Sequence, residues 1–496
     1  MIHEAARKAH AVLIDPWRLI MDPRVKPYDI HTSLCGLHLG GWCESLGQVI
    51  LLRGLGDERH GFGPVWRPAP GKRGVFLHER LVAVGGDGTN VRRLGGSRAG
   101  EIKITRFLRN DAVSVGEMVA TAAGRTMTRV GGRHVLAIQD TTTVRAEDKG
   151  RCIALHPVLA VDAVEGALLG LVDVQFFVRK GGKRERRKER DFAQKESRRW
   201  LGGIESAGDL AASGAACVTV IADREGDIYE DFACKPDGVE VLIRAGQDRS
   251  LVGGSRLFAC TGSLAEAARM TVDLPAAPGR RARQAVLALR FCTVEIARPV
   301  SRKGKTEFKA LPRSVTLSYV EALEVDPPPG VAAAHWRLLT THKVADAADG
   351  RRIVGFYRQR WIIEQLFRTL KTKGFNVEAL RIADGGPFEK LVTASVIAAV
   401  TVLQLVRDRD GVAKRPLEDA IDADDQPALE AVSASLEGKT VRQKNPHPKG
   451  SLAYAAWVFG RLGGWTGYYG KPGPVVMLKG LVQFHAIKHG WNLRYV

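Results

Sequence analysis

Three carboxylates define the chemistry open to this sequence. Asp140 follows the apolar run of HVLAIQDTTTV, Asp223 follows that of CVTVIADREGDIYEDF, and Glu364 lies within FYRQRWIIEQLFRTLKTKGFN. Both aspartates stand at the carboxyl end of a strand-like run, where open α/β sheets place functional groups. Acids at strand ends also serve as caps and turn residues, so position alone leaves a structural role open. Hard divalent cations take oxygen ligands, and Mg²⁺ is held by one or two carboxylates with water and phosphate oxygens. Two such ions, Mg²⁺ or Mn²⁺, activate an attacking water or 3′-hydroxyl and stabilise the leaving oxygen of an in-line phosphoryl transfer. Asp140, Asp223 and Glu364 are therefore candidate metal ligands and catalytic residues of a metal-dependent nuclease or transferase.

The glutamate needs an element to hold it. Phe356–Asn376 has no Pro and no Gly before Gly374, so it predicts a helix that stops at the glycine. With Tyr357 at zero and about 100° per residue, Arg360 falls near 300°, Glu364 near 340° and Lys371 near 320°. Ile362, Ile363, Leu366, Phe367 and Leu370 gather on the adjoining flank. The helix thus buries one side and presents a phenol, a guanidinium, a carboxylate and an ammonium beside it. A solvated polar face has the same pattern. Arg360, Arg368 and Lys371 suit phosphate contacts, Arg by its bidentate fork and Lys as a point charge.

The aspartates need a sheet. His134–Val144, Ala154–Asp162 and Ala167–Val178 are strand-like, the last two joined by a turn at Val164-Glu165-Gly166. A helix over Lys195–Leu210, a strand from Cys217, a helix after Asp223 and a strand over Val239–Gly246 follow. That order describes a mixed α/β sheet. Residues 247–335 alternate apolar and polar between basic and Gly/Pro breaks and read as a β-rich insertion. HWRLLTTHKV then returns to strand before the glutamate helix.

Composition narrows the partner. The 496 residues are 45% hydrophobic and 26% charged, with 74 Lys and Arg against 54 Asp and Glu, for a net charge of +20. Such an excess predicts a polyanionic partner, nucleic acid before membrane. The basic runs RKGGKRERRKERD, GRRAR and SRKGK fit a solvated surface by themselves and backbone contacts in a chain that binds nucleic acid. Seven scattered cysteines without a CxxC pair suggest reduced thiols in a cytoplasm. The opening residues hold no apolar core of signal-peptide length. The apolar run Leu391–Val406 is short for a membrane span and reads as a buried helix.

The helix carries Tyr-(2)-Arg-(3)-Glu-(6)-Lys as Tyr357, Arg360, Glu364 and Lys371, and this resembles the signature of the DDE transposases of the insertion-sequence-four family. RFLRND, LAIQDTTTV, LHPVLAV, KESRRWL, ADREGDIYE, WRLLT and GSLAYAAWVFGRLGGW extend the resemblance over roughly Glu79 to Trp491. The resemblance implies an RNase H-like core with helices on both faces, split by a β insert and flanked by helical N- and C-terminal regions. It implies Asp140, Asp223 and Glu364 on two Mg²⁺ or Mn²⁺ ions. Tyr357, Arg360, Lys371, Arg368 and Arg244 would contact DNA, and Trp336 would stack on a base turned out of the duplex. Plain core packing is the other reading of that tryptophan.

The expected organisation is an N-terminal extension over 1–78, a helical DNA-recognition module over 79–132, and the first part of the core over 133–246. The insertion over 247–335, the second core part over 336–406 and a helical dimerisation region over 407–496 follow. The extension has no counterpart in the family, and its His31, Cys35, His38 and Cys43 match no standard zinc spacing. VGGDGTNVRRLGGSRAG puts glycines where the recognition module needs helices, and Arg407–Glu430 reads as a polar linker or an exposed helix pair. The function implied is cut-and-paste transposition in a prokaryotic, nucleoid-associated setting. Its substrates would be double-stranded terminal inverted repeats and target DNA, held by a homodimer with no membrane involvement. An RNase H-like nuclease without strand transfer and a domesticated DNA-binding protein without catalysis are the alternatives.

Overall fold

The computed structural model describes residues 68–84, 88–146, 151–179, 195–275, 281–300, 310–371 and 374–493. The chain divides into two units, residues 1–75 with 111–113 and residues 76–110 with 114–496. Of the first, the described part is the beginning of helix α1 (Pro68–Val84) and residues 111–113. His31, Cys35, His38 and Cys43 lie outside the described residues, as do most of RKGGKRERRKERD and SRKGK.

The second unit continues with α2 (Val91–Gly95), α3 (Arg98–Leu108) and α4 (Val115–Met127). Strands β1 (His134–Gln139), β2 (Thr142–Ala146), β3 (Cys152–Asp162) and β4 (Leu168–Arg179) come next. Helix α5 (Arg198–Ala212), β5 (Cys217–Ala222), α6 (Tyr229–Ala233) and β6 (Val239–Arg244) complete the first half of the core. The strands β7 (Ala268–Leu274), β8 (Arg283–Ala297), β9 (Ser314–Val325) and β10 (His335–Thr340) precede helices α7 (Ala347–Gln359) and α8 (Trp361–Leu370). The chain closes with α9 (Gly385–Asp408), α10 (Gln426–Leu436), α11 (Leu452–Leu462) and α12 (Pro474–Leu493).

The ten strands among the described residues form one sheet. Within it β1, β5 and β6 run parallel, β3 lies antiparallel beside β1, and β4 is antiparallel to β3. The order β4-β3-β1-β5-β6 is the RNase H-like arrangement expected from the sequence. Beyond β6 the sheet continues as β10-β9-β8-β7, all antiparallel, so the residues of the β-rich stretch lengthen the sheet at one edge. The parallel strands are apolar on both faces, as strands covered on both sides must be. Val135 and Ala137 of β1 pack with Trp200, Ile204 and Ala207 of α5, while Leu136 and Ile138 are buried on the other face.

The glycine-rich run before α3 does form helices. Asn90 caps α2 by accepting from the amides of Arg92 and Arg93, Gly96 ends it at φ 67°, and Ser97 caps α3. The glycines serve a close crossing: a Cβ on Gly100 would sit 2.1 Å from the Gly95 carbonyl oxygen. Sequence composition suggested lost helices; the backbone uses Gly95 and Gly100 to bring two short helices into contact.

The stretch read as one helix from Phe356 is two segments meeting at Arg360. Arg360 N bonds Tyr357 O and Ile363 N bonds Arg360 O, both one residue tighter than an α-helical bond. The helix ends at Leu370, four residues before the expected stop, and Gly374 serves the turn that follows: a Cβ there would lie 2.2 Å from Thr369 O, and Phe375 N bonds that same oxygen at 2.8 Å. Helix α9 is long and apolar enough to cross a membrane, but 89% of its apolar window is buried inside the protein. Arg407–Glu430, expected to be exposed, is partly core. Arg415 is buried, reaches Leu168 O, and pairs with Asp419, which also holds Arg129 at 3.0 Å.

Candidate active site

Two strands and one helix bring the acids together. The parallel register pairs Ile138 of β1 with Ile221 of β5, so Asp140 and Asp223 each stand two residues further on. Adjacent strands lie about 4.8 Å apart, and the aspartates therefore leave the sheet as neighbours. Each is fixed by its own turn: Asp140 Oδ1 accepts from Thr141 N at 2.7 Å and Asp223 Oδ1 from Arg224 N at 2.8 Å. Glu364 comes from the first turn of α8.

One guanidinium joins all three. Arg360 Nη1 donates to Asp140 Oδ2 at 2.6 Å, and Nη2 donates to Glu364 Oε1 at 3.2 Å while standing 3.9 Å from Asp223 Oδ2. The sequence reading gave Arg360 to a DNA phosphate; here it faces the carboxylates. Burial pushes the Asp140 carboxyl up to about 6, against the pull of Arg360 and the Thr141 amide, with Glu364 and Asp223 adding to the rise. Arg360 is held well above the ordinary guanidinium range, because the Tyr357 phenol and the three carboxylates outweigh its burial.

The remaining residues singled out in the sequence surround this cluster unevenly. Tyr357 OH donates to Asp223 Oδ1 at 3.2 Å, and burial beside that carboxylate pushes the phenol up to about 12. Trp336 of β10 meets the Tyr357 ring edge-on, centroids 5.8 Å apart. Arg244, last in β6, donates to His335 O at 3.0 Å and lies 3.9 Å from Asp223 Oδ1. Arg368 is exposed on α8. Lys371 turns from the acids to Glu378 at 2.9 Å. Of the GRRAR run, Arg283 is tied to Glu324 by both terminal nitrogens, so its fork is spent there. A cleft of about 1420 Å³ reaches the acids through Arg360 and Tyr357 in its lining, with Arg244, Trp336, Arg352, Arg358 and Arg407 also along it.

Sequence reasoning missed the support beneath Asp140. His156 of β3 is fully buried; its Nε2 lies 2.9 Å from Gln139 Oε1 and its Nδ1 2.9 Å from Thr141 Oγ1. Arg199 of α5 donates Nε to the same Thr141 oxygen at 2.9 Å and Nη2 to Glu225 at 2.9 Å. Burial next to Arg199 drives the imidazole well below its usual range, so it is neutral. An Nε2–H tautomer satisfies the chain: the imidazole donates to Gln139 and accepts from Thr141, which accepts from Arg199. The signal lay in LHPVLAV and KESRRWL, each of which carries one polar residue into an otherwise buried layer.

Residues 132–400, more than half of the chain, match the family described as the transposase DDE domain. The chain belongs to that family. It is a DDE transposase, a nuclease-type enzyme acting on DNA, from a family that works with divalent metal ions. The donor set of this DDE transposase fits such ions: hard carboxylate oxygens from three independent elements converge on one guanidinium.

Proposed function

We propose that the chain is a cut-and-paste transposase of the insertion-sequence-four type, which nicks transposon ends, releases them through a hairpin and joins them to target DNA. The convergence of Asp140, Asp223 and Glu364 on one guanidinium, at the edge of an arginine-lined cleft, carries this reading. Held by the three carboxylates, two Mg²⁺ or Mn²⁺ ions would supply an activated water or 3′-hydroxyl and stabilisation of the leaving oxygen. Before DNA arrives, Arg360 offsets the mutual repulsion of the acids. When a scissile phosphate enters, the guanidinium turns part of its fork to a phosphate oxygen. Tyr357 keeps its hydroxyl on Asp223 and so fixes which oxygen of that carboxylate faces the ions. Arg244, Arg368 and Lys371 track the backbone of the transposon end, Lys371 exchanging Glu378 for phosphate. Trp336, already against Tyr357, stacks on a base turned out of the duplex as the hairpin closes. The helices after residue 406 pair two copies around two ends.

Asp223→Ala tests the site. On double-stranded DNA bearing the terminal inverted repeats, we expect nicks, hairpins and strand-transfer products to vanish while DNA binding persists. Cleavage at the normal rate would remove Asp223 from the chemistry. A strand-transfer assay on paired ends separates transposition from plain nuclease action. Binding should fall steeply with salt as Lys and Arg release counterions from phosphate, and a flat titration would reject the backbone contacts.

A further inference from the structure

We infer that His134, Cys217 and His342 form a binding site for a borderline-soft divalent cation such as Zn²⁺, at the end of the sheet away from the carboxylates. The two rings and the thiol offer ligand atoms that lie within 4.8 Å of one another. They come from three elements that meet at one edge. His134 begins β1, Cys217 begins β5 and is its register partner, and His342 follows β10 by two residues. The site is separate from the acids, since His134 and Asp140 bracket β1 and stand roughly 20 Å apart at ~3.3 Å per residue.

The donor chemistry selects the ion. Two imidazoles and a thiolate are the ligands of zinc and related transition metals, whereas Mg²⁺ takes oxygen. Tetrahedral zinc with S and N ligands needs ligand atoms about 3.3–3.8 Å apart, so the three groups must close by about 1 Å. Both imidazoles are neutral at neutral pH and hold lone pairs for a metal. Burial lowers His134, and burial takes His342 to about 4. Burial also raises the Cys217 thiol, so metal uptake there releases a proton. Phe356 packs edge-on against His134 with centroids 4.8 Å apart and lies 6.2 Å from His342, which limits the rotation of both rings. Glu240 of β6, opposite Thr219 in register, now accepts from the Thr341 hydroxyl and would become the fourth ligand by releasing it. Arg352 and Lys235 also face the group and oppose a cation, so the thiolate and Glu240 must both contribute charge.

Without metal the two rings share one hydroxyl. Thr219 Oγ1 lies 2.8 Å from His134 Nε2 and 2.7 Å from His342 Nε2. That bridge satisfies the Nε2 atom of each ring, and it supplies the competing explanation that the test must separate.

The full-length protein, prepared without a metal-affinity tag, is stripped with chelator and titrated with Co²⁺ and then Zn²⁺. Metal content is counted beside Cys217→Ser, His342→Gln and Thr219→Val. We expect a thiolate-to-cobalt charge-transfer band and one equivalent of zinc in the wild type, both lost in Cys217→Ser and His342→Gln. Thr219→Val should keep the metal, and zinc should raise the melting temperature of the wild type but not of Cys217→Ser. Equal zinc content in wild type and Cys217→Ser, or a cobalt spectrum indifferent to Cys217, would overturn the proposal and leave a hydrogen-bonded bridge. Comparison between variants cancels zinc held elsewhere, and the spectrum of the wild type stands even if one variant fails to fold.

Discussion

At the carboxyl ends of β1 and β5 the neighbouring residues are Asp140 and Asp223; at the amino ends of the same strands they are His134 and Cys217. The acidic end is bridged by a guanidinium, Arg360, and the other by a hydroxyl, Thr219. Strong like charges at one end need a cation to coexist. Neutral rings at the other need only one shared proton donor and acceptor. Parallel pairing explains why both ends assemble at all: it aligns residues in register at both extremities, whatever their chemistry.

The sharpest break between the two ends is catalytic. Asp140→Asn removes a charge but keeps the shape, and we expect strand cleavage to fall by on the order of 10³-fold or more. His134→Gln at the opposite end of β1 should leave cleavage near the wild-type rate. Equal losses from the two variants would mean that the strand acts as a single structural unit.

Arg360→Ala comes next. It leaves three carboxylates without their shared partner, a buried imbalance of about 3 kcal/mol. Because the imbalance is electrostatic, millimolar Mg²⁺ should restore much of the lost stability, a linkage readable as a melting-temperature shift. A deficit that Mg²⁺ leaves unchanged would place the role of Arg360 in packing. Arg360→Ala should also weaken cleavage at saturating Mg²⁺ if, as proposed, its guanidinium contacts the scissile phosphate.

The two ends also carry opposite pH signs in the ion-free protein. Asp140 rises from 3.8 to about 6 when buried beside Arg360, Glu364 and Asp223, so the folded state holds that proton more tightly. Its contribution is present below the unfolded value and lost as pH rises through 6. His342 falls to about 4, so the unfolded state binds that proton more tightly and stability drops as pH falls from 6.5. Melting in chelator from pH 4 to 7 should therefore gain acid-side stability in His342→Gln and lose it in Asp140→Asn. Cleavage should need more Mg²⁺ below pH 6, roughly tenfold per unit, as protons compete for Asp140.

Much of the acidic end was legible because it follows from local patterns. Apolar runs closed by Asp140 and Asp223 mark strand ends, and the succession of strand and helix signals reads as a mixed α/β sheet, whose RNase H-like arrangement was implied by the family resemblance. What the acids face was not legible. Helical spacing puts Tyr357, Arg360 and Glu364 on one stripe, but the angle at which α8 meets β1 decides that Arg360 meets Asp140. Lys371 shared that stripe on paper, yet α8 ends at Leu370 and Lys371 pairs with Glu378. The His–Cys end left no local trace at all, since positions 134, 217 and 342 have no spacing to read and only strand pairing joins them. The glycines near Gly96 misled for a related reason: composition reports what a residue permits, and a close helix crossing looks like a broken helix until the partner is seen.

The smallest expected effect concerns how the acidic end keeps its shape. His156 touches no carboxylate; it holds Thr141, whose amide holds Asp140, and Arg199 braces the same hydroxyl from α5. His156→Phe fills the space but leaves Gln139 and Thr141 without partners, a cost of about 1–3 kcal/mol in buried polar groups. A purely structural role would lower melting and leave turnover per folded molecule intact. A positioning role would lower turnover several-fold with DNA binding unchanged, because the Asp140 oxygen would wander from the place the proposed ions would require. We expect the second outcome, with partial rescue in His156→Gln, whose amide can still bond Gln139. The same exchange at His342 should move melting alone, since nothing at that end of β1 holds a carboxylate in register with Asp223.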